Sequence, residues 1–190
     1  MKLTTHDLVL CALCAAVTCI LAPISIPLAG EVPVSLATFA VLLSGILLGA
    51  KLGALSQIVY VLLGSVGVPV FAGWTGGIGI TLGVTGGYII GYIPMALIAG
   101  LLYHLYGRNA SGIRKYAVMF VSMFLATAVL YILGTAWFIA QTGMALAASL
   151  AACVIPFLPG DLIKIIAVML VAPPVEAALK RAVPASQGAA

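Results

Sequence analysis

Charge is what this chain lacks. Four acidic and eight basic residues supply 6% of its 190 positions, 64% are hydrophobic, and the mean hydropathy is +1.31. So few ionisable groups exclude an ordinary soluble domain, and the dispersed Lys and Arg do not form a nucleic-acid footprint. No Gly-x-x-x-x-Gly-Lys-Ser/Thr loop is present, so a nucleotide cannot be used by that route. His-Glu-x-x-His, Gly-x-Ser-x-Gly and paired membrane aspartates are missing too. No metal or catalytic set is left, and the chain reads as a non-enzyme. The four cysteines include Cys11-x-x-Cys14, a redox or metal spacing. Without a second Cys or His pair, and inside an apolar run, these thiols read as small hydrophobes. No inverted repeat of the secondary-transporter kind is visible either. A binding protein within the membrane is the class that survives.

What is there is a succession of apolar runs, each needing about 20 residues to cross the hydrocarbon. Spans are expected at 8–28, 34–50, 53–70, 79–106, 116–140 and from 159 onward, with 144–155 a short helix leading into a proline break. The fold expected is an all-α integral membrane protein of six transmembrane helices. It forms one domain over 1–183, followed by a disordered tail over 184–190. A cleaved signal peptide is the competing reading of the first run, but no small-x-small site precedes a polar mature start. With six spans, Lys2, Lys51, Arg108, Arg114, Lys115, Lys180 and Arg181 fall on one side and Glu31 on the other. The positive-inside rule then places both termini in the cytoplasm.

Glycine is concentrated where helix should fail. Ten of the 21 glycines lie between Gly64 and Gly91. Residues 67–77 read as an outer loop between the third and fourth helices, with Trp74 suited to a membrane interface. Gly79, Gly83, Gly87 and Gly91 recur every four residues and read as a smooth helical ridge, beside the hydroxyls of Thr85, Tyr88 and Tyr92. Such a ridge serves tight helix packing as well as it serves a ligand. The loop is different, because ordering so many glycines is costly unless the backbone must approach something. Ala12-x-x-x-Ala16 in the first helix is a small-residue surface that permits close approach of another helix, internal or foreign.

Asp161 and Lys164 stand out most. They follow the proline-broken stretch Pro156-Phe157-Leu158-Pro159-Gly160 inside an otherwise apolar region. A charge at membrane depth costs on the order of 2.5–3.5 kcal/mol on insertion scales, so it needs a partner or a purpose. The bland alternative is a structural ion pair sealing two helices. The loop, the start of the fourth helix and this pair all fall toward the outer face. Together they outline a pocket for a small, rigid, partly polar molecule.

The residues resemble the BioY family, the biotin-specific substrate-capture (S) component of energy-coupling factor (ECF) transporters. Gly64-x-x-Gly67-Val68-Pro69-Val70-Phe71-Ala72-Gly73 is similar to that family's Gly-Leu-Pro-Val-Phe-Ala-Gly loop. Gly83-Val84-Thr85-Gly86-Gly87-Tyr88-Ile89-Ile90-Gly91-Tyr92 resembles Gly-Pro-Thr-Gly-Gly-Tyr-Leu-Ile-Gly-Phe, and 156–164 resembles Pro-Phe-Leu-Pro-Gly-Asp-Leu-x-Lys. The resemblance implies biotin uptake from outside a bacterial cytoplasmic membrane, energised by separate ATPase subunits. It implies ligand contacts from Asp161 and Lys164, from the loop glycines Gly73, Gly76 and Gly77, and from Tyr88; Thr75, Thr85 and Gly87 are further candidate contacts in the same pocket. Ala12 and Ala16 would dock on the transmembrane coupling protein. Trp74 stands where the family usually has Gly, and Ala37 where Gln is common. An S component for another small vitamin and a scaffold without ligand are the alternatives.

Overall fold

A computed structural model describes residues 4–26 and 32–182. Lys2, Glu31, the end of the first expected span and the expected tail lie outside the described residues. The elements run α1 (Thr5–Leu21), β1 (Ser25–Ile26), β2 (Val34–Ser35), α2 (Ala37–Ser65), a 3-10 turn (Ala72–Trp74), α3 (Ile78–Thr81), α4 (Gly86–Tyr106), α5 (Gly112–Thr142), α6 (Leu146–Cys153) and α7 (Leu158–Ala182). Among the described residues the one sheet is a short antiparallel pair, Ser25 opposite Ser35 and Ile26 opposite Val34.

α1 begins in a capping box, with the Asp7 amide donating to Thr4 Oγ1 and the Thr4 amide to the Asp7 carboxylate. Its Cys11, Ala15 and Thr18 face inward and are buried, whereas Ala12, Leu13 and Ala16 are exposed. α2 is not one straight rod. Gly49 has φ 81° and ψ −179°, and a Cβ at Gly53 would lie 2.9 Å from the Gly45 Cα eight residues earlier. Gln57 Nε2 donates to Ser44 Oγ at 2.9 Å, although thirteen residues along a straight helix span about 20 Å. Residues 37–48 and 50–65 are therefore antiparallel arms reversing at Gly49. Glycines at 45 and 53 let the two backbones touch.

A buried polar seam joins this hairpin to α1. The hydroxyls of Thr18, Ser44 and Ser56 each donate to a carbonyl of their own helix, at Cys14, Val41 and Gly53. Their oxygens surround Gln57 Nε2 at 2.9–3.3 Å and share its two N–H groups. α4 packs against the hairpin just as closely, since a Cβ at Gly45 would meet the Ala96 carbonyl at 2.6 Å.

Four helices among the described residues are long and apolar enough to cross a bilayer: Ala37–Ser65, Gly86–Tyr106, Gly112–Thr142 and Leu158–Leu179. Thr5–Leu21 is a shorter apolar helix. This departs from six separate spans because α2 carries two of the expected segments, folded back on each other.

The expected span 79–106 is also divided. α3 ends at Thr81, a four-residue bend and turn interrupts the helix, and α4 starts after Thr85. The four-residue glycine ridge is accordingly not one face. A Cβ at Gly79 would meet nothing within 4 Å, whereas one at Gly87 would fall 2.2 Å from the Trp137 Cβ and one at Gly91 2.8 Å from Leu130 Cδ1. Only its second half packs, against α5. The proline break is as expected. α6 ends at Cys153, a turn follows, and Pro159 occupies the first turn of α7, where a missing N–H costs nothing.

Candidate ligand-binding site

Two adjoining cavities lie near the start of α4. The larger, about 250 Å³, is walled by Ala37 and Tyr60 of α2, Phe71, Thr75, and Thr85, Tyr88 and Tyr92 at the start of α4. That is slightly below the roughly 300–1,000 Å³ usual for small-molecule sites. Its aromatic wall is built on glycine. A Cβ at Gly64 would strike the Phe71 ring at 2.2 Å, and Phe71 in turn meets Tyr60 edge-on at 5.6 Å. A Cβ at Gly134 would strike the Tyr88 ring at 2.3 Å. Tyr88 is oriented by its hydroxyl, 3.1 Å from Thr135 Oγ1 and donating to the Cys153 carbonyl at 3.4 Å.

The smaller cavity, about 40 Å³, reaches Asp161 and Lys164. Pro33, Ser35, Tyr88 and Tyr92 line both, so the tyrosines stand between the open volume and the charges. The charges are 6% and 9% exposed. Lys164 Nζ donates to Asp161 Oδ1 at 2.8 Å and to Thr38 Oγ1 at 2.9 Å, while the Thr38 hydroxyl donates to the same Oδ1 at 3.0 Å. Tyr131 of α5 donates its hydroxyl to Oδ2. α2, α5 and α7 thus meet at one carboxylate.

A count of donors and acceptors gives the site its chemistry. Oδ1 accepts twice, and Oδ2 once, from Tyr131. Lys164 uses two of its three protons. Among the described residues one lone pair on Oδ2 and one N–H on Lys164 remain, on two side chains already joined through Oδ1. A bare carboxylate or ammonium ligand would satisfy one of these and be repelled by the other. A group carrying N–H and C=O side by side satisfies both.

The BioY family model matches residues 1–181. A probable biotin transporter BioY from Pyrococcus horikoshii is 39% identical over 86% of this chain and 91% of its own. The biotin transporter BioY of Rhodobacter capsulatus is 34% identical over 78% and 80%. A crystal structure of the S-component for biotin from an ECF-type ABC transporter superposes with a TM-score of 0.82. It is 26% identical and covers 95% of each chain. The chain belongs to the BioY family.

The residues expected at the site fall into two groups. Asp161, Lys164, Thr75, Thr85 and Tyr88 line one or both cavities. Gly73, Gly76, Gly77 and Gly87 do not line either. Gly73 (φ 70°) ties the loop to the turn that follows α1, through its amide on the Pro23 carbonyl at 3.1 Å. Gly76 packs so closely on the Val68 carbonyl that a Cβ would lie 2.4 Å from it. Gly77 (φ 106°) donates to the Gly64 carbonyl at 2.7 Å, and Gly87 seats the Trp137 side chain. Trp74 has φ 61°, the one positive φ outside glycine among the described residues, and its side chain is exposed.

Thr38, Tyr131, Tyr60 and Phe71 were not singled out from sequence. A signal for Tyr131 exists. Thr127, Tyr131 and Thr135 recur every four residues on an otherwise apolar helix, a polar stripe on one face.

Proposed function

We propose that this chain binds biotin at the outer face of a bacterial cytoplasmic membrane. It would act as the S component of an energy-coupling factor transporter, with separate ATPase subunits supplying the energy. The observation that carries this reading is the buried Asp161–Lys164 pair, with one acceptor and one donor open beside an aromatic-walled cavity. The cyclic urea of biotin presents an N–H next to a C=O, which matches that pair. Its apolar ring and chain suit the wall of Tyr60, Phe71 and Tyr88, with Thr75 and Thr85 as polar points near the mouth. Gly73, Gly76, Gly77 and Gly87 contribute by shaping the backbone that holds these side chains. The chemistry is recognition without bond making.

In this reading residues 1–183 form one membrane domain of six crossings, the arms 37–48 and 50–65 counting as two. Both termini lie on the cytoplasmic side, and Ala12 and Ala16 face the transmembrane coupling protein. The deciding experiment measures labelled biotin on the detergent-purified chain and on the double variant Asp161→Asn, Lys164→Met. Removing both charges spares the fold the penalty of an unpaired buried ion. Affinity should fall by at least about tenfold. Unchanged affinity would leave the pair a structural seal, and no binding by the wild type would remove biotin as ligand.

A further inference from the structure

We propose that Tyr131 is a positioning residue that selects which lone pair of Asp161 meets the ligand. This rests on the biotin-binding reading and goes beyond it, because Tyr131 need not touch the ligand at all. Lys164 and Thr38 both bind Oδ1, at 2.8 and 3.0 Å. Neither bond reaches Oδ2, so rotation about Cβ–Cγ is restrained from one oxygen only and Oδ2 keeps some freedom of direction. Tyr131, from a different helix, donates to Oδ2 and ends that freedom. One lone pair of Oδ2 is consumed, and the direction of the other is set. The spacing between ligand acceptor and ligand donor is then fixed by α2, α5 and α7 together.

Thr38 has a complementary part. Its hydroxyl accepts from Lys164 at 2.9 Å while donating to Oδ1, so it joins the two charges through a second path. If Lys164 turns part of its donor capacity toward a ligand, Thr38 still anchors Oδ1. Among the described residues Tyr131 alone anchors Oδ2. Its loss should therefore harm the recognition of a ligand N–H specifically.

The test is a cycle between protein and ligand on the full-length chain in detergent. Biotin and a biotin methylated at a ureido nitrogen are titrated against wild type and Tyr131→Phe. Methylation should weaken wild-type binding by at least about tenfold. Tyr131→Phe should weaken biotin by about tenfold and shrink the methylation penalty to within about threefold, because the aimed lone pair is no longer aimed. Independent, multiplicative losses would make Tyr131 a packing residue and overturn the proposal, as would unchanged biotin affinity in the variant. Wild type that binds no biotin would overturn this inference together with the proposed function. Wild-type binding with an indifferent Tyr131 would overturn this inference alone. If Tyr131→Phe is not monodisperse, difluorotyrosine at position 131 keeps the shape and strengthens the donor. Biotin affinity should then rise by at least about twofold, and an unchanged value would again overturn the proposal.

Discussion

Lys115 Nζ of α5 lies 3.0 Å from Glu176 Oε2 of α7, an ion pair at the far end of α7 from Asp161 and Lys164. Tyr103 donates to the same Oε2 at 3.1 Å, so α4, α5 and α7 are tied together there as α2, α5 and α7 are tied at the first pair. Fifteen residues of helix, about 22 Å, separate Asp161 from Glu176.

Glu176→Ala should lower the melting temperature in detergent because Lys115 and Tyr103 lose their shared acceptor. The cost should be about 1–3 kcal/mol, below that of a fully buried pair because both side chains keep some solvent contact. Glu176→Leu combined with Lys115→Met should recover most of the loss. Biotin affinity should change less than about threefold in either, given the distance. A double variant no more stable than Glu176→Ala would show that the charges do not act as a pair.

Gly134→Ala should impair binding from outside the cavity. Its added methyl would sit 2.3 Å from the Tyr88 ring, which the Thr135 and Cys153 contacts hold in place. The ring must swing toward the ligand volume. Affinity should drop by about tenfold or more while the protein still elutes as one species. Gly79→Ala, with no atom within 4 Å of the new methyl, is the matched control and should bind normally. Equal affinities in the two variants would show that Tyr88 can shift without consequence.

The parts of this molecule legible in sequence are those where local composition decides. Asp161 and Lys164 announce themselves because a charge amid apolar residues has few reasons to exist. The Gly49 reversal was legible only roughly, as a gap around Lys51 between two runs. Its tightness depends on Gly45, Gly53, Ser44 and Gln57 meeting across the hairpin, and no local pattern encodes that meeting. The loop glycines show the limit most clearly. Their density signals that backbone must come close to something, and at Gly76 that something is the Val68 carbonyl, at Gly87 the Trp137 side chain. Thr38 and Tyr131 gain their role only once α2 and α5 are packed on α7.

Membrane orientation is tested by labelling at two exposed positions at opposite ends of α4. Ile78 lies in α3, before α4, and Ser111 follows α4 by four residues of turn. Twenty-one helical residues, about 31 Å, separate these ends. Both positions accept a side chain, unlike Gly76, where any Cβ would clash. In a background with Cys11, Cys14, Cys19 and Cys153 replaced, Ile78→Cys should react with an impermeant thiol reagent added to intact cells. Ser111→Cys should react only after the membrane is opened. The reverse pattern would invert the protein, and reaction of both from outside would remove the crossing by α4.

The outer face of α1 supplies the last prediction. Ala12 and Ala16 are exposed, while Cys11, Ala15 and Thr18 pack inward against α2, so the small residues at 12 and 16 are not needed to pack this chain. Small side chains turned outward favour the close approach of another helix. An ATP-driven importer that carries no nucleotide-binding loop of its own must borrow one through contact with another subunit. Replacing Ala12 and Ala16 together with Trp should leave biotin binding by the purified chain within about twofold of wild type. Uptake by cells expressing the coupling protein and ATPase subunits should fall to background, because bulk at those positions keeps the partner helix away. Normal uptake would place the docking surface elsewhere. Loss of binding along with uptake would mean that the two alanines serve this chain's own folding, against their exposure in the structure.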